Sequence, residues 1–248
     1  MIPPFIVAHR GGSALAPENT LAAIRGAVRL GADAVEVDVL PSRDGRLMVH
    51  HDERLMRTAG VAAAVWELDR HDLQQLDVGR WFGAAFAGER IPTLEEVAAE
   101  LPARMRLVAD FKHGEERFPG LARRVADFAR ALGPSRLSVL SIQHSFAAAV
   151  AEAAPGVLPL FTYRTPLPSD EELQRLRDLP AGAGLAASMR ALSAGMLVAA
   201  AEAGRAVYVF TPNTESELRV ALGLGADGVI TDRPDLALDL RRRLSTGD

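Results

Sequence analysis

The sequence predicts an α/β fold of the (β/α)8 TIM barrel class with a small insertion after the second strand. Short, strongly apolar strand segments alternate with helical segments, and eight such units in 248 residues match the size of this barrel. The alternative is an open doubly wound sheet, but no Gly-x-Gly-x-x-Gly turn follows a strand and no P-loop lysine is present. Strands are expected at residues 5–8, 34–39, 106–111, 137–141, 157–161, 184–187, 206–210 and 228–231.

Helices are expected between these strands. The first begins at Asn19 or Thr20, either of which can cap it, and ends at Gly31. Thr93 is expected to cap the helix that precedes the third strand. The others are expected around residues 117–132, 145–154, 170–178, 193–203, 214–223 and 235–244.

One segment interrupts the alternation. An Asp44-Gly45 turn leads from the second strand to Leu47–His51, and a connection this short permits only antiparallel pairing. Residues 53–91 show no regular period and contain both tryptophans. We therefore predict a single domain, residues 1–248, with an insertion at about 41–91 that forms a hairpin and a cap over one end.

The composition argues against several classes of protein. The formal net charge of −4 lacks the basic excess of a nucleic-acid-binding surface. The absence of cysteine excludes disulfides, thiolate catalysis and zinc sites built on Cys. The N-terminal segment has no signal-peptide pattern, and no apolar run approaches the roughly 18 residues that cross a bilayer. A soluble cytoplasmic protein, monomer or homo-oligomer, is expected.

Two carboxylates share one face of the second strand. Glu36 and Asp38 are two residues apart, and side chains at that spacing point the same way. An exposed strand with alternating charges is the alternative, but the apolar neighbours Val35 and Val37 indicate burial on both faces. Anions this close repel each other unless a cation lies between them or one takes up a proton. A hard divalent cation is the common remedy, so a metal site is the hypothesis.

Further polar groups fall at the C-terminal ends of neighbouring strands, where the active sites of such barrels lie. His9 and Arg10 follow the first strand, and Asp110 and Lys112 end the third. His51 reaches the same rim through the hairpin. The only lysine of the chain is in this set, although 28 residues are basic, which indicates that an ammonium group is specifically required.

This set of residues suits cleavage at phosphorus. Three carboxylates can hold Mg²⁺ or Ca²⁺ and leave positions open for substrate oxygens. Cationic side chains offset phosphate charge, and two histidines can act as base and acid. The remaining histidines are expected to be surface or core residues rather than ligands; they are His50, His71, His113 and His144.

Nine motifs follow one another in order: His9-Arg10-Gly11, Pro17-Glu18-Asn19-Thr20, Glu36-x-Asp38, Asp44-Gly45, His51-Asp52, Arg57-Thr58, Ile91-Pro92-Thr93-Leu94, Asp110-x-Lys112 and Gly225 to Pro234. Together they resemble the signature of glycerophosphodiester phosphodiesterases, barrel enzymes similar to phosphoinositide-specific phospholipase C. The resemblance implies a metal-dependent enzyme that releases glycerol 3-phosphate and an alcohol. By position it implies an acid–base pair of His9 and His51, metal ligands Glu36, Asp38 and Asp110, and phosphate contacts Arg10 and Lys112.

Three positions depart from the family pattern. Asp110 stands where Glu is usual, and its side chain is one methylene shorter, which would allow contact with the metal through water. Ile142 replaces the Phe of a Ser-Phe motif, and Phe210 replaces a Trp on the seventh strand. These two changes bear on the substrate pocket more than on the catalytic centre.

Two alternatives stay open beside a small-molecule glycerophosphodiester substrate. One is a lysophospholipase D or phospholipase C-like enzyme of the same barrel, which would need an apolar rim such as the insertion between Trp66 and Phe86. The other is a non-catalytic binder of phosphorylated ligands. The presence of both histidines and all three acids argues against it.

Overall fold

The computed structural model describes residues 4–165 and 170–246. In this part of the chain eight parallel strands close into a barrel, because β1 pairs with both β2 and β9, and β3 pairs antiparallel with β2 outside it. The predicted barrel is confirmed, and the open doubly wound sheet is wrong. The strands are β1 (Phe5–Ala8), β2 (Ala34–Pro41), β3 (Leu47–Val49), β4 (Arg106–Phe111), β5 (Leu137–Ser141), β6 (Leu158–Tyr163), β7 (Gly184–Ser188), β8 (Val207–Phe210) and β9 (Gly228–Thr231).

Helices surround the barrel, and the two helices for which a cap was predicted begin directly after Thr20 and Thr93. In α1 (Leu21–Leu30), the Thr20 hydroxyl accepts a hydrogen bond from the Ala23 N–H, and Gly31 ends the helix at φ 79°, which glycine adopts without strain. Thr93 caps α4 (Leu94–Glu100) in the same way. The other long helices are α5 (Leu121–Leu132), α6 (His144–Ala153), α7 (Asp170–Arg177), α8 (Ala194–Glu202), α9 (Glu215–Gly223) and α10 (Pro234–Thr246).

Among the described residues, no helix is both long and apolar enough to cross a membrane. The cytoplasmic location and the oligomeric state stay predictions.

The segment between β2 and α4 builds a layer beside the barrel. It contains β3, the short helices α2 (Met56–Ala59) and α3 (Arg70–Leu73), and 3₁₀ turns at Val65–Glu67 and Ala84–Phe86. The antiparallel pairing predicted for the hairpin is confirmed. We propose that residues 1–248 form one domain, in which this segment is an insertion at about residues 41–91. The segment packs on a core of its own: Leu40, Met48, Leu55, Val65, Leu73, Val78 and Ile91.

Phe111 anchors the strand that carries two of the predicted site residues. It alternates with Asp110 and Lys112, so its ring points away from them, and it is fully buried with its centroid 5.3 Å from that of Phe146. We expect Phe111→Ala to lower the free energy of unfolding by about 3–5 kcal/mol through lost contacts and a cavity. Urea denaturation measures this, with the exposed Val198→Ala as a control. A loss below about 1 kcal/mol would show that this ring does not hold the strand.

Candidate active site

The C-terminal ends of the strands surround a cavity of about 160 Å³. All seven predicted site residues line it: His9, Arg10, Glu36, Asp38, His51, Asp110 and Lys112. The other described residues of the wall are Leu140, Thr162, Arg164, Phe210, Thr211 and Ile230. The structure therefore brings the predicted residues together, and their individual roles stay predictions.

Three carboxylates form a cluster on one side of the cavity. Glu36 and Asp38 are buried on β2, Asp110 lies beside Asp38 on β4, and an oxygen of each lies within 4.8 Å of the others. Burial raises the pKa of Glu36 to about 7, and burial with repulsion from Asp38 and Glu36 raises that of Asp110 to about 8. Three hard, anionic oxygens this close fit a divalent cation such as Mg²⁺ or Ca²⁺.

Asp38 differs from the other two carboxylates because cations surround it. Its Oδ2 lies 3.2 Å from Arg10 Nε, and its Oδ1 lies 3.4 Å from Lys112 Nζ. Burial opposes ionisation, but these two cations outweigh it and lower the pKa of Asp38 to about 2. The Asn19 side chain donates to Oδ2 at 2.9 Å and accepts from the Asp38 N–H at 3.2 Å. Asp38 is therefore a fixed, ionised group at the centre of the site.

The backbone is strained beside this cluster. Arg10 and Asn19 have φ angles of 50° and 61°, in the left-handed region that residues other than glycine seldom adopt. The conformation lets the Arg10 N–H donate to Glu36 Oε2 at 2.9 Å, while Asn19 binds Asp38. Strain of this kind is often stored at functional sites, and here it positions two of the carboxylates.

Each of the two predicted histidines is paired with a carboxylate. His9 Nδ1 donates to Asp232 Oδ1 at 2.5 Å, and His51 Nδ1 donates to Asp52 Oδ1 at 2.6 Å. The Nε2 atoms lie 3.8 Å from Glu36 Oε2 for His9 and 4.0 Å from Asp38 Oδ1 for His51. A carboxylate at Nδ1 fixes the tautomer and directs the other nitrogen, so both Nε2 atoms are aimed at the cavity.

The two imidazoles differ in proton affinity. Burial disfavours the charged form of His9, but Glu36 and Asp232 outweigh it and raise the pKa of His9 above 6.5. Burial lowers the pKa of His51 below 6.5, although Asp38 opposes the shift. Opposite shifts suit a pair in which one ring gives a proton and the other takes one.

Sequence reasoning missed the groups that orient these residues. Glu18 accepts from Arg10 at 3.1 Å and from Arg57 at 2.6 Å, and Arg57 in turn donates to Asp52 at 2.6 Å. Asp232 also accepts from Ser13 and Asn213, both at 2.5 Å. Glu18, Arg57, Asp52 and Asp232 all lie in the motifs quoted above, and that position was the only signal that could have identified them.

None of the other four histidines is among the described residues that line the cavity. His50 is buried, with its nitrogens bound to the Asp52 carbonyl and the Thr58 hydroxyl. His113 pairs with Glu53, His144 stacks on a phenylalanine ring, and His71 is exposed.

We expect Asp232→Asn to lower the pKa of His9, because Asp232 stabilises the imidazolium and asparagine can still accept the Nδ1 hydrogen bond. In the pH dependence of kcat/KM, the apparent pKa that belongs to His9 should therefore fall by about one unit. Asp235→Asn is the control, since Asp235 pairs with Arg233 outside the site. A lower kcat/KM with an unchanged apparent pKa would mean that the charge of Asp232 does not set the pKa of His9.

Comparison with known proteins identifies the family signature across most of the chain. The sequence model of the Glycerophosphoryl diester phosphodiesterase family matches residues 9–236. Two curated relatives named glycerophosphodiester phosphodiesterase come from Caldanaerobacter subterraneus and Bacillus altitudinis. They are 30% and 31% identical over 245 and 252 residues, with coverage of 96% of this chain and 98% of each relative.

Solved structures of similar proteins have the same architecture. A phosphodiesterase of Oleispira antarctica, in complex with the product sn-glycerol-3-phosphate, superposes with a TM-score of 0.86 at 29% identity and covers 96% of both chains. A glycerophosphodiester phosphodiesterase of Agrobacterium tumefaciens superposes with a TM-score of 0.79 at 27% identity, over 95% of this chain and 99% of that one.

Proposed function

We propose that this chain, which belongs to the glycerophosphoryl diester phosphodiesterase family, hydrolyses glycerophosphodiesters to glycerol 3-phosphate and an alcohol. The family and its enzyme class, phosphoric diester hydrolase, were predicted from the sequence and are confirmed. One observation carries the proposal for the reaction: two carboxylate-paired histidines face three clustered carboxylates and two cations across one cavity. The product bound to the Oleispira protein supports it.

We propose that Glu36, Asp38 and Asp110 hold a divalent cation, Mg²⁺ or Ca²⁺. The support is the donor set itself, three carboxylates with oxygens within 4.8 Å, two of them buried. Such a cation, when bound, offsets negative charge on the phosphate and orients substrate oxygens. It would also offset the burial and the mutual repulsion that raise the carboxyl pKa values of Glu36 and Asp110.

The remaining side chains have separate tasks in this proposal. Arg10 and Lys112 bind the phosphate, and both are already held in place, Arg10 by Glu18 and Lys112 by the His51 carbonyl at 2.9 Å. One of His9 and His51 takes the proton of the attacking hydroxyl, and the other gives a proton to the oxygen that leaves. Acid–base catalysis of this kind contributes about 10²–10⁴-fold in rate.

The test is release of glycerol 3-phosphate from glycerophosphocholine and glycerophosphoglycerol, each with Mg²⁺, with Ca²⁺ and with excess chelator. We expect turnover with a cation, loss with chelator, and recovery when the cation is restored. No turnover of any diester with either cation would refute the proposed function and would favour a non-catalytic binder. Full turnover in chelator would refute the metal site alone.

Asp110 offers a sharper test of the ligand set. Asp110→Glu restores the length usual in the family, and we expect it to keep activity or to bind the cation more tightly. Asp110→Ala should weaken cation binding by at least about tenfold, because it removes an anionic oxygen from a small cluster. Calorimetric titration with Mg²⁺ and Ca²⁺ measures both. If both substitutions leave the affinity unchanged, Asp110 is not a ligand.

One surface favours a second candidate, hydrolysis of lysophospholipids. Trp81 and Met56 are 43% and 54% exposed, and Arg57 places its guanidinium 5.6 Å from the Trp81 ring centre. Arg57 also binds Asp52, the partner of His51, so apolar surface lies next to the cavity. An acyl chain would pack there. Release of choline from lysophosphatidylcholine, compared with release of choline from glycerophosphocholine under the same conditions, decides between the two substrates.

A further inference from the structure

The cavity wall opposite His9 and Arg10 has no part in the reaction described above. It belongs to β6, which lies four strands from β1 in either direction around the closed barrel. Thr162 lies on β6, and Arg164 is the first residue after that strand. The two residues are two positions apart in the chain, so their side chains share a face. Both line the cavity. This far wall faces whatever part of the substrate extends away from the histidines.

Thr162 presents a polar group without a partner. Its side chain is only 8% exposed, and within the described ranges its Oγ1 is buried with no hydrogen bond. A buried hydroxyl in this condition destabilises the fold, and such groups are uncommon. Because Thr162 lines the cavity, a ligand atom there would supply the missing partner.

Arg164 brings a positive charge to the same wall. Its carbonyl accepts from the Ser188 hydroxyl at 3.1 Å, which fixes its backbone to the next strand. In the part of the chain that is described, its guanidinium forms no ion pair, whereas Arg10 and Lys112 each lie beside Asp38. Arg164 lines the same cavity as Asp110, so its charge faces that cavity.

We infer that Thr162 and Arg164 form a subsite for an anionic group, a carboxylate or a phosphate monoester, on the alcohol that leaves during hydrolysis. This inference rests on the proposed function. The glycerol part of the substrate has no ionised group, and the diester phosphate is assigned to Arg10 and Lys112. A negative charge that meets Arg164 therefore belongs to the leaving alcohol.

The chemistry of the two side chains fits this ligand. A guanidinium presents two parallel N–H groups that match both oxygens of a carboxylate or phosphate. The Thr162 hydroxyl can donate to the same anion or accept from a neighbouring hydroxyl of the alcohol. Cationic alcohols such as choline would be repelled by Arg164. The site should therefore discriminate among diesters by the charge of their head groups.

The experiment uses two matched substrate pairs. Glycerophosphoinositol 4-phosphate differs from glycerophosphoinositol by one phosphate monoester, and glycerophosphoserine differs from glycerophosphoethanolamine by one carboxylate. We expect the wild-type protein to turn over the anionic member of at least one pair with a kcat/KM at least about tenfold higher, the effect of one charge-assisted hydrogen bond. A preference within the inositol pair identifies the anion as a phosphate monoester, and a preference within the serine pair identifies it as a carboxylate.

Variants then locate the preference. Arg164→Gln should lose at least about tenfold more kcat/KM on the preferred anionic substrate than on its partner. Thr162→Val should raise KM on that substrate with unchanged or higher thermal stability, because it removes an unpaired buried hydroxyl. Arg190→Gln is the matched control, since Arg190 is exposed after the neighbouring strand β7 and does not line the cavity.

The outcomes separate this inference from the function on which it rests. Turnover of all four diesters without a preference for the anionic members would overturn the subsite and leave the proposed function intact. An equal loss on both members of a pair in Arg164→Gln would also overturn it, because Arg164 would then serve the diester phosphate. Inactivity on every diester would overturn the proposed function, and the subsite with it.

Discussion

Asp38→Ala is expected to lower the affinity for Mg²⁺ and Ca²⁺ by at least about a hundredfold and to reduce kcat/KM at least as much. Asp38 is the only one of the three clustered carboxylates whose pKa is lowered, to about 2, and it lies between Arg10 and Lys112. Its loss removes the anion that is always ionised and takes away the carboxylate beside Lys112 and Arg10, although Arg10 keeps its ion pair with Glu18. Calorimetric titration and steady-state kinetics measure the two effects.

Asp38→Asn separates charge from shape in this test. It keeps the side-chain volume and a partner for Asn19 but carries no charge, so its cation affinity should fall nearly as far as in Asp38→Ala. Asp127→Asn on α5 is the control, because Asp127 is exposed and distant from the cavity. Wild-type cation affinity in Asp38→Asn would refute its role as a charged ligand.

The same site makes cation binding depend on pH. Without a cation the pKa values of Glu36 and Asp110 are about 7 and 8, so both carry a proton at pH 6 and lose it as the pH rises. A cation must displace these protons, and its apparent affinity should therefore rise from pH 6 to pH 9. An affinity that is constant over this range would mean that protons do not compete at these carboxylates.

The positions of the carboxylates and of Lys112 could be predicted from the sequence because they depend on short-range geometry. Side chains alternate along a strand, so Glu36 and Asp38 share a face, as do Asp110 and Lys112. Consecutive parallel strands of a barrel are neighbours, and the observed register places Asp110 beside Asp38. The alternation of side chains along a strand and the order of the strands were therefore sufficient to predict where the three carboxylates and Lys112 lie.

The partners of these residues were not predicted, because side-chain contacts between segments distant in the chain follow neither from the alternation along one strand nor from the order of the strands. Asp232 and His9 are 223 residues apart in the chain, and they meet only because β9 pairs with β1. The contact of Arg57 with Trp81 depends on the packing of an insertion without a regular period. Arg164 is one arginine among many, and only the closed barrel places it opposite His9.

Substitution of either His9 or His51 by alanine is expected to reduce kcat by at least about a hundredfold. Each ring has its Nδ1 bound to a carboxylate and its Nε2 directed at the cavity, an arrangement that lets the imidazole exchange a proton with the substrate. His113→Ala is the matched control, since His113 is paired with Glu53 away from the cavity wall. A loss below about tenfold in either variant would remove that histidine from the acid–base pair.

Two histidines can serve two routes, attack on phosphorus by the glycerol 2-hydroxyl or attack by water. If the glycerol 2-hydroxyl attacks phosphorus, one ring takes its proton and the other protonates the leaving alcohol; the roles reverse when water opens the cyclic phosphate. We favour this route over direct attack by water, because a hydroxyl already fixed beside phosphorus avoids much of the entropic cost of a second reactant. A diester without the 2-hydroxyl should then bind comparably, as a competitive inhibitor, yet lose nearly all turnover. Similar kcat values for this analogue and the glycerol diester would leave direct attack by water as the mechanism.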